Sequence, residues 1–259
     1  MTFAASGLAR IARLAVPERF RPIGYLTYLT QRRTGQRIAA GAFKGVKYVD
    51  RSFGSAYIPK LLGLYERELG TAVADIVHRR PRRVIDVGAA EGYYAVGLAR
   101  LLPDTEVIAF EGEERGRQLL QQMIAVNDVG SRVEVRGWCG PNDLNEALVA
   151  NDCTVVLMDA EGAEADLIDL NRVPRLRSAE LLIETHDFIV PGVTEQLIGR
   201  LRATHRITTI HQTGRKVEDY PYSTLYTSLL PKRYIEWAVS EWRPVPMTWL
   251  HCTPLPPGQ

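Results

Sequence analysis

From residue 82 onward the chain alternates short apolar runs with segments of helical periodicity, and few architectures accommodate that order. The runs 83–88 (RVIDVG), 106–111 (EVIAFE), 132–138 (RVEVRGW), 154–159 (TVVLMD), 179–186 (AELLIETH) and 205–211 (HRITTIH) read as strands. Helices are expected near 92–102, 114–127, 142–150, 163–171 and 192–203. Nearly continuous Val, Ile and Leu within a strand means burial on both faces, which a parallel sheet covered by right-handed crossovers provides. The expected fold is therefore α/β and doubly wound, with one more helix at 232–242 and a final strand at 247–252, antiparallel at or near the sheet edge. On this reading residues 1–80 form a basic helical cover, 81–253 the α/β domain and 254–259 a frayed tail.

Composition narrows the setting. With 259 residues, 46% hydrophobic and 24% charged, the chain can bury a full core. Cys139, Cys153 and Cys252 are odd in number and lack CxxC spacing, so neither a disulfide framework nor a thiolate zinc site is indicated. No apolar run is long enough to span a bilayer, and Arg10 and Arg13 interrupt the N-terminal apolar stretch, unlike a secretory signal. A cytoplasmic protein is expected. The net charge of +2 hides an asymmetry: nine of the 32 Lys/Arg and one of the 30 Asp/Glu fall in residues 1–49, leaving 23 basic against 29 acidic residues beyond them. Within that basic part Leu8, Ile11, Ala12, Leu14 and Ala15 recur at helical spacing. Such a helix packs on the main domain or on a sister chain, giving a homo-oligomer, or lies on an anionic membrane surface, or cradles a phosphorylated substrate.

The first strand ends in Asp86-Val87-Gly88, turns through Ala89-Ala90-Glu91-Gly92 and opens a helix at Tyr93. Gly88 lets backbone approach a ligand closely and Gly92 permits tight strand-to-helix packing. The spacing is GxxxG rather than GxGxxG, and no GK[ST] follows, so neither a dinucleotide fingerprint nor a triphosphate cradle is satisfied. The second strand then ends in Phe110-Glu111-Gly112, placing an acid where it can accept both hydroxyls of a ribose. A ribose without a diphosphate points to an adenosyl thioether or sulfonium, whose amino group Asp86 can meet.

VIDVGAAEGYY followed by VIAFEGE resembles motifs I and II of class I S-adenosylmethionine-dependent methyltransferases. The resemblance implies that Asp86, Gly88, Ala89, Glu91, Gly92, Tyr93 and Glu111 surround the cofactor. In such folds the end of the third strand flanks the adenine, which here offers Trp138, either stacked on the base or plain core. The later segments MDAEGAE and LLIETHDF, taken together, resemble the FkbM-like group, commonly O-methyltransferases of sugars and other secondary metabolites; the likeness spans roughly residues 82–190. The implied acceptor is a small molecule or glycan, with a phenol or a lipid-linked glycan as alternatives.

The fourth strand of this fold lies beside the first, and ligands sit in the crevice beyond their carboxyl ends. Asp159 should face the glycine loop there, sharing a side with Glu161. The fifth strand repeats the device with Glu184, His186 and Asp187. Three readings stay open. Asp159 or His186 is a general base, His186 being the better suited because it titrates near neutrality. Alternatively Asp159, Glu184 and His186 hold a divalent ion that acidifies a hydroxyl. In the third, Glu161 and Glu164 merely favour a helix N-terminus and Glu184 pairs with an arginine.

His205 and His211 read as structural histidines, whereas Arg215 and Lys216 are placed to hold an anionic acceptor. The segment 41–70, rich in Gly, aromatics and Lys, is expected to cover the acceptor side, with Tyr48, Arg51, Ser55 and Tyr57 as candidates. A nicotinamide-dependent reductase would need the absent GxGxxG. No NPPY-like tetrapeptide follows the fourth strand, so a nucleic-acid partner is not expected. A non-catalytic adenosyl-binding module remains as the rival to an enzyme.

Overall fold

The computed structural model describes residues 17–149 and 153–256. The amphipathic stretch at 8–15 and the end of the tail lie outside the described residues. Helices α1 (Pro22–Thr34), α2 (Tyr57–Leu62) and α3 (Gly70–Arg79) precede the sheet. Strands β1 (Arg83–Val87), β2 (Glu106–Phe110), β3 (Val133–Arg136), β4 (Thr154–Met158), β5 (Glu180–Thr185), β6 (His205–His211) and β7 (Thr248–Pro254) form one sheet in the order β3-β2-β1-β4-β5-β7-β6. The crossovers carry α4 (Tyr93–Leu101), α5 (Glu114–Asn127), α6 (Pro141–Ala147), α7 (Glu164–Leu167) and α8 (Val193–Leu201), and α9 (Leu225–Leu229) and α10 (Lys232–Val239) lead into β7. The doubly wound, mostly parallel sheet expected from the sequence is thus what the chain forms. β7 runs antiparallel to both β5 and β6, one strand in from the edge.

The strand alternation sorts side chains between two cores. Val84, Val155, Leu157, Leu182 and Trp249 face α4, α5 and the N-terminal segment, while Ile85, Val87, Val156, Met158 and Ile183 face α6, α7 and α8. Asp86 and Glu184 stand two residues beyond Val84 and Leu182, so the carboxylates of β1 and β5 emerge on the side of the N-terminal segment.

Ile38, Phe43, Val46 and Tyr48 of that segment bury themselves in the first core. Phe43 meets Tyr93 and Tyr94 edge-on at centroid distances of 5.1 and 5.7 Å, and Gly97, at the middle of α4, leaves room for its ring. Asn127 clamps the loop by accepting from the Lys47 amide (3.0 Å) and donating to the Lys47 carbonyl (2.8 Å). A third cluster joins α1 and α2 to α10 through Leu26, Leu29, Ile58, Leu62 and Val239.

Three expected helices end before their patterns do, the one expected at 142–150 stopping at Ala147. The one expected at 163–171 stops after α7, because Asp169 Oδ1 accepts from the Asn171 amide (2.8 Å) in a local turn that competes with the helical ladder. The helix at 232–242 stops at Val239, and residues 240–244 become loop.

A Cβ on Gly97 would stand 2.6 Å from the Phe43 ring. Gly97→Ala should therefore cost about 1–3 kcal/mol in denaturant unfolding. The loss should shrink in a Phe43→Leu background if this contact is the cause.

Candidate functional site

A cavity of about 780 Å³ opens beyond the carboxyl ends of β1, β2, β4 and β5. Its geometry starts at Gly88, whose φ of +84° and missing side chain let β4 approach: a Cβ there would stand 1.8 Å from the Asp159 carbonyl oxygen. The Asp159 amide donates to the Val87 carbonyl (2.9 Å), and the Gly88 and Ala89 amides both donate to the Phe110 carbonyl (3.0 and 2.9 Å). The ends of β1, β2 and β4 are thereby tied at one point. Four non-glycine residues with positive φ, Glu66, Ala90, Glu161 and Trp242, line this same cavity. The other three described ones, Gln36, Arg80 and Asp128, follow helix C-termini, so the costly backbone conformations away from helix ends gather at the site.

Glu111 is held by two amides, its Oε2 accepting from Ala90 and its Oε1 from Glu113, both at 2.7 Å. Gly116 makes space for it, since a Cβ there would meet the carboxylate carbon at 2.8 Å. Both oxygens retain lone pairs, and the side chain lines the cavity. Trp138, 76% exposed, lies over Gly112 at the rim rather than in the core. Tyr93 lines the floor among Tyr65, Tyr94 and Phe43.

Asp86 is buried and its Oδ2 has no hydrogen-bond partner. Burial pushes its carboxyl up to about 7, and the charges of Asp159 and Glu111 act in the same direction. Asp159 Oδ1 is likewise buried and without a hydrogen bond, and desolvation, reinforced by the charge of Glu66, raises that carboxyl too. Two buried carboxylate oxygens without a hydrogen-bond partner thus face one cavity, and a donor or a cation entering it would satisfy them.

His186 is the pivot of the opposite wall. Glu164 Oε1 lies 2.7 Å from its Nδ1 and also accepts from the Ala160 and Gly162 amides (3.2 and 3.1 Å). Despite burial, the His186 contact and the Gly162 amide hold the Glu164 carboxyl below its ordinary range, so it is ionised and Nδ1 must be the donor. Nε2 then faces Asp159 Oδ1 at 3.4 Å, Glu184 Oε1 at 3.5 Å and Glu161 Oε2 at 3.7 Å. Burial pulls the imidazole pKa down, but the Glu164 hydrogen bond and the Asp159 charge outweigh it and the net movement is upward. Glu164, read in the sequence as an acid at a helix start, does open α7 and is also the buried partner that fixes this ring.

Glu184 is spoken for. Arg243 bridges it to Glu66, the Trp249 indole donates to its Oε2 (3.1 Å), and Glu66 in turn accepts from the Tyr94 hydroxyl. Asp159, Glu184 and His186 nonetheless offer one ligand atom each within 4.8 Å of one another.

Several expected site residues lie elsewhere. Glu91 does not line the cavity: the turn sends it into the cover, where Tyr48 (2.6 Å), Ser52 (2.7 Å), Lys60 (2.7 Å) and the Phe53 amide (3.2 Å) saturate its carboxylate. Gly92 packs against Leu120 and Val96, also outside the lining. Arg51 pairs with Asp50 in solvent and Tyr57 donates to the Val49 carbonyl, leaving Ser55 as the one member of that group on the cavity wall. Arg215 is buried between Glu68 and Glu241, so it is not free for an anionic acceptor. Asp187 is engaged by Thr194 at the start of α8. His205 is satisfied by the Ala179 carbonyl and Thr204.

No protein-family model and no curated protein matches the chain. Solved structures do. The O-methyltransferase TomG from Streptomyces achromogenes, in complex with SAM, is 16% identical with a TM-score of 0.48, over 95% of each chain. Cofactor-bound Rv0187 from MTB is 13% identical with a TM-score of 0.47, over 94% of this chain and 95% of its own. The methyltransferase FkbM from Methylobacillus flagellatus is 16% identical with a TM-score of 0.43, and the match covers 66% of this chain and 44% of that one.

The His186 imidazole should titrate in NMR above the usual value of about 6.5. Glu164→Gln removes the charge that raises it, so the midpoint should fall; an unchanged midpoint would refute the pairing. Because the folded-state pKa is raised, the stability this pair contributes is complete below about pH 6.5 and is lost as pH rises through the folded value.

Proposed function

We propose that the chain is an S-adenosylmethionine-dependent methyltransferase that methylates a hydroxyl of a small acceptor, a saccharide or secondary metabolite. The observation that carries this reading is the continuity of one cavity from Asp86, Gly88 and Glu111 to the Asp159–His186 pair. Glu111 suits the two hydroxyls of a ribose, Asp86 an amino group, and the Trp138 indole the face of a base. The carboxylates of Glu66, Asp86, Asp159 and Glu184 favour a cationic ligand over a diphosphate.

When bound, the cofactor supplies an activated methyl group. The chain's share is alignment and removal of one proton. His186 Nε2, its ring locked by Glu164, accepts the acceptor's hydroxyl proton, and Asp159 stabilises the imidazolium that results. Phe188 and Trp242 at the rim give a ring-bearing acceptor an aromatic face to lie against.

Calorimetry should detect binding of S-adenosylmethionine, and Glu111→Ala should weaken it about 10- to 100-fold through loss of charge-assisted hydrogen bonds. No heat of binding at millimolar cofactor sinks the assignment. His186→Ala should lower kcat by about 10²–10⁴ while leaving cofactor affinity within a few-fold. A variant that binds the cofactor and turns over at the normal rate would remove His186 from the chemistry.

A second reading is supported by the convergence of Asp159, Glu184 and His186. These residues fit a divalent ion in donor type and spacing, with Glu164 as the carboxylate that orients the histidine. Against it, Glu184 already neutralises Arg243. Base chemistry therefore leads, and turnover should persist through complete chelation; loss on chelation with recovery in Mg²⁺ or Mn²⁺ would turn the assignment to the ion.

A further inference from the structure

We propose that the face built from α1, α9 and α10, with the turn at Glu18–Phe20 before α1, docks on an anionic membrane surface. This face lies outside the cavity and owes nothing to the assigned chemistry. Leu225 and Leu229 stand one turn apart on α9, 81% and 76% exposed, and Phe20 is 56% exposed. They belong to one surface: the Tyr226 hydroxyl donates to the Phe20 carbonyl (3.3 Å), and the Tyr226 and Tyr25 rings lie 4.3 Å apart. The buried sides of α1 and α10 pack in the third core cluster, and Tyr25 and Leu230, next to the apolar tips, pack against it.

The same elements carry cations against their aromatic side chains. Arg19 lies over the Phe20 ring (4.9 Å), Arg32 donates to the Tyr28 hydroxyl (3.1 Å), and Arg233 lies over Tyr234 (5.2 Å). No Asp or Glu occurs from residue 19 to 49 or from 220 to 235, whereas Arg19, Arg21, Arg32, Arg33, Lys232 and Arg233 do. The acids in or next to these elements are Glu18, which opens the turn before α1, Glu236 on α10, and Glu218 and Asp219 ahead of α9, of which Asp219 is paired with Arg67. Exposed apolar side chains on elements richer in Arg and Lys than in acids match a lipid surface, which takes the former among acyl chains and the latter among anionic headgroups. A nucleic acid would satisfy the cations and leave Leu225 and Leu229 in water. A second copy docked on the same face would set like charges against one another.

The test is cosedimentation of the full chain with phosphatidylserine/phosphatidylcholine vesicles and with pure phosphatidylcholine vesicles. Binding should be at least 10-fold stronger to the former and fall with salt. Leu225→Ser/Leu229→Ser, at exposed positions and with circular dichroism unchanged, should weaken it 10-fold or more, and Arg32→Glu/Arg33→Glu should do the same. The proposal is overturned by absence of binding to the anionic vesicles, by binding that both double variants leave intact, or by variants that change the oligomeric state and not vesicle binding. A polyanionic RNA that binds as strongly as the vesicles, with no response to the leucine substitutions, would equally overturn it.

Discussion

The close approach of β4 to β1 at Gly88 is the constraint on which the rest of the site depends. A side chain at that position would occupy the space of the Asp159 carbonyl, and the positive φ would strain it further. Because the two strand ends touch there, Asp159 reaches the cavity from one side while the turn through Ala90 delivers an amide to Glu111 on the other. His186, at the end of β5, then needs only the Glu164 carboxylate behind it to present Nε2 to the same space.

Concentrating carboxylates at one end of a sheet is costly unless cations or hydrogen bonds answer them. The chain answers with two buried bases drawn from its two ends. Lys60, from the N-terminal cover, meets Glu91 with its ammonium 4.6 Å from the Tyr65 ring centroid, and Arg243, from the loop before β7, bridges Glu184 and Glu66. Arg215 between Glu68 and Glu241 repeats the device one layer out. Asp86 and Asp159 are left without such partners, and each turns a buried carboxylate oxygen that accepts no hydrogen bond toward the cavity.

The sheet was legible because its strands are buried on both faces and read as unbroken apolar runs, and Asp86, Glu111, Asp159, Glu184 and His186 were legible because each stands at or just past a strand's carboxyl end. The helix at 163–171 was overread because the competing turn at Asp169 leaves no mark in hydrophobic periodicity. Glu164 was read only in part for the opposite reason: it does stand at a helix start, and that ready local explanation hides the histidine 22 residues later that closes on it. Glu66, Lys60 and Arg243 carry no local signal, since their partners lie far away in the chain. Glu91 looked like a ligand acid from its place in the glycine loop, yet a one-residue turn decides which way it points.

That turn makes the glycine loop and the N-terminal cover a single thermodynamic unit. Glu91 sits between Ala90, whose amide holds Glu111, and Gly92, while its carboxylate gathers Tyr48, Ser52, Phe53 and Lys60. Any ligand that orders the loop must, through Glu91, also order the cover, and by reciprocity anything that loosens the cover weakens the ligand. The resistance of segment 48–60 to hydrogen exchange should therefore rise when the cavity is filled and fall when it is emptied.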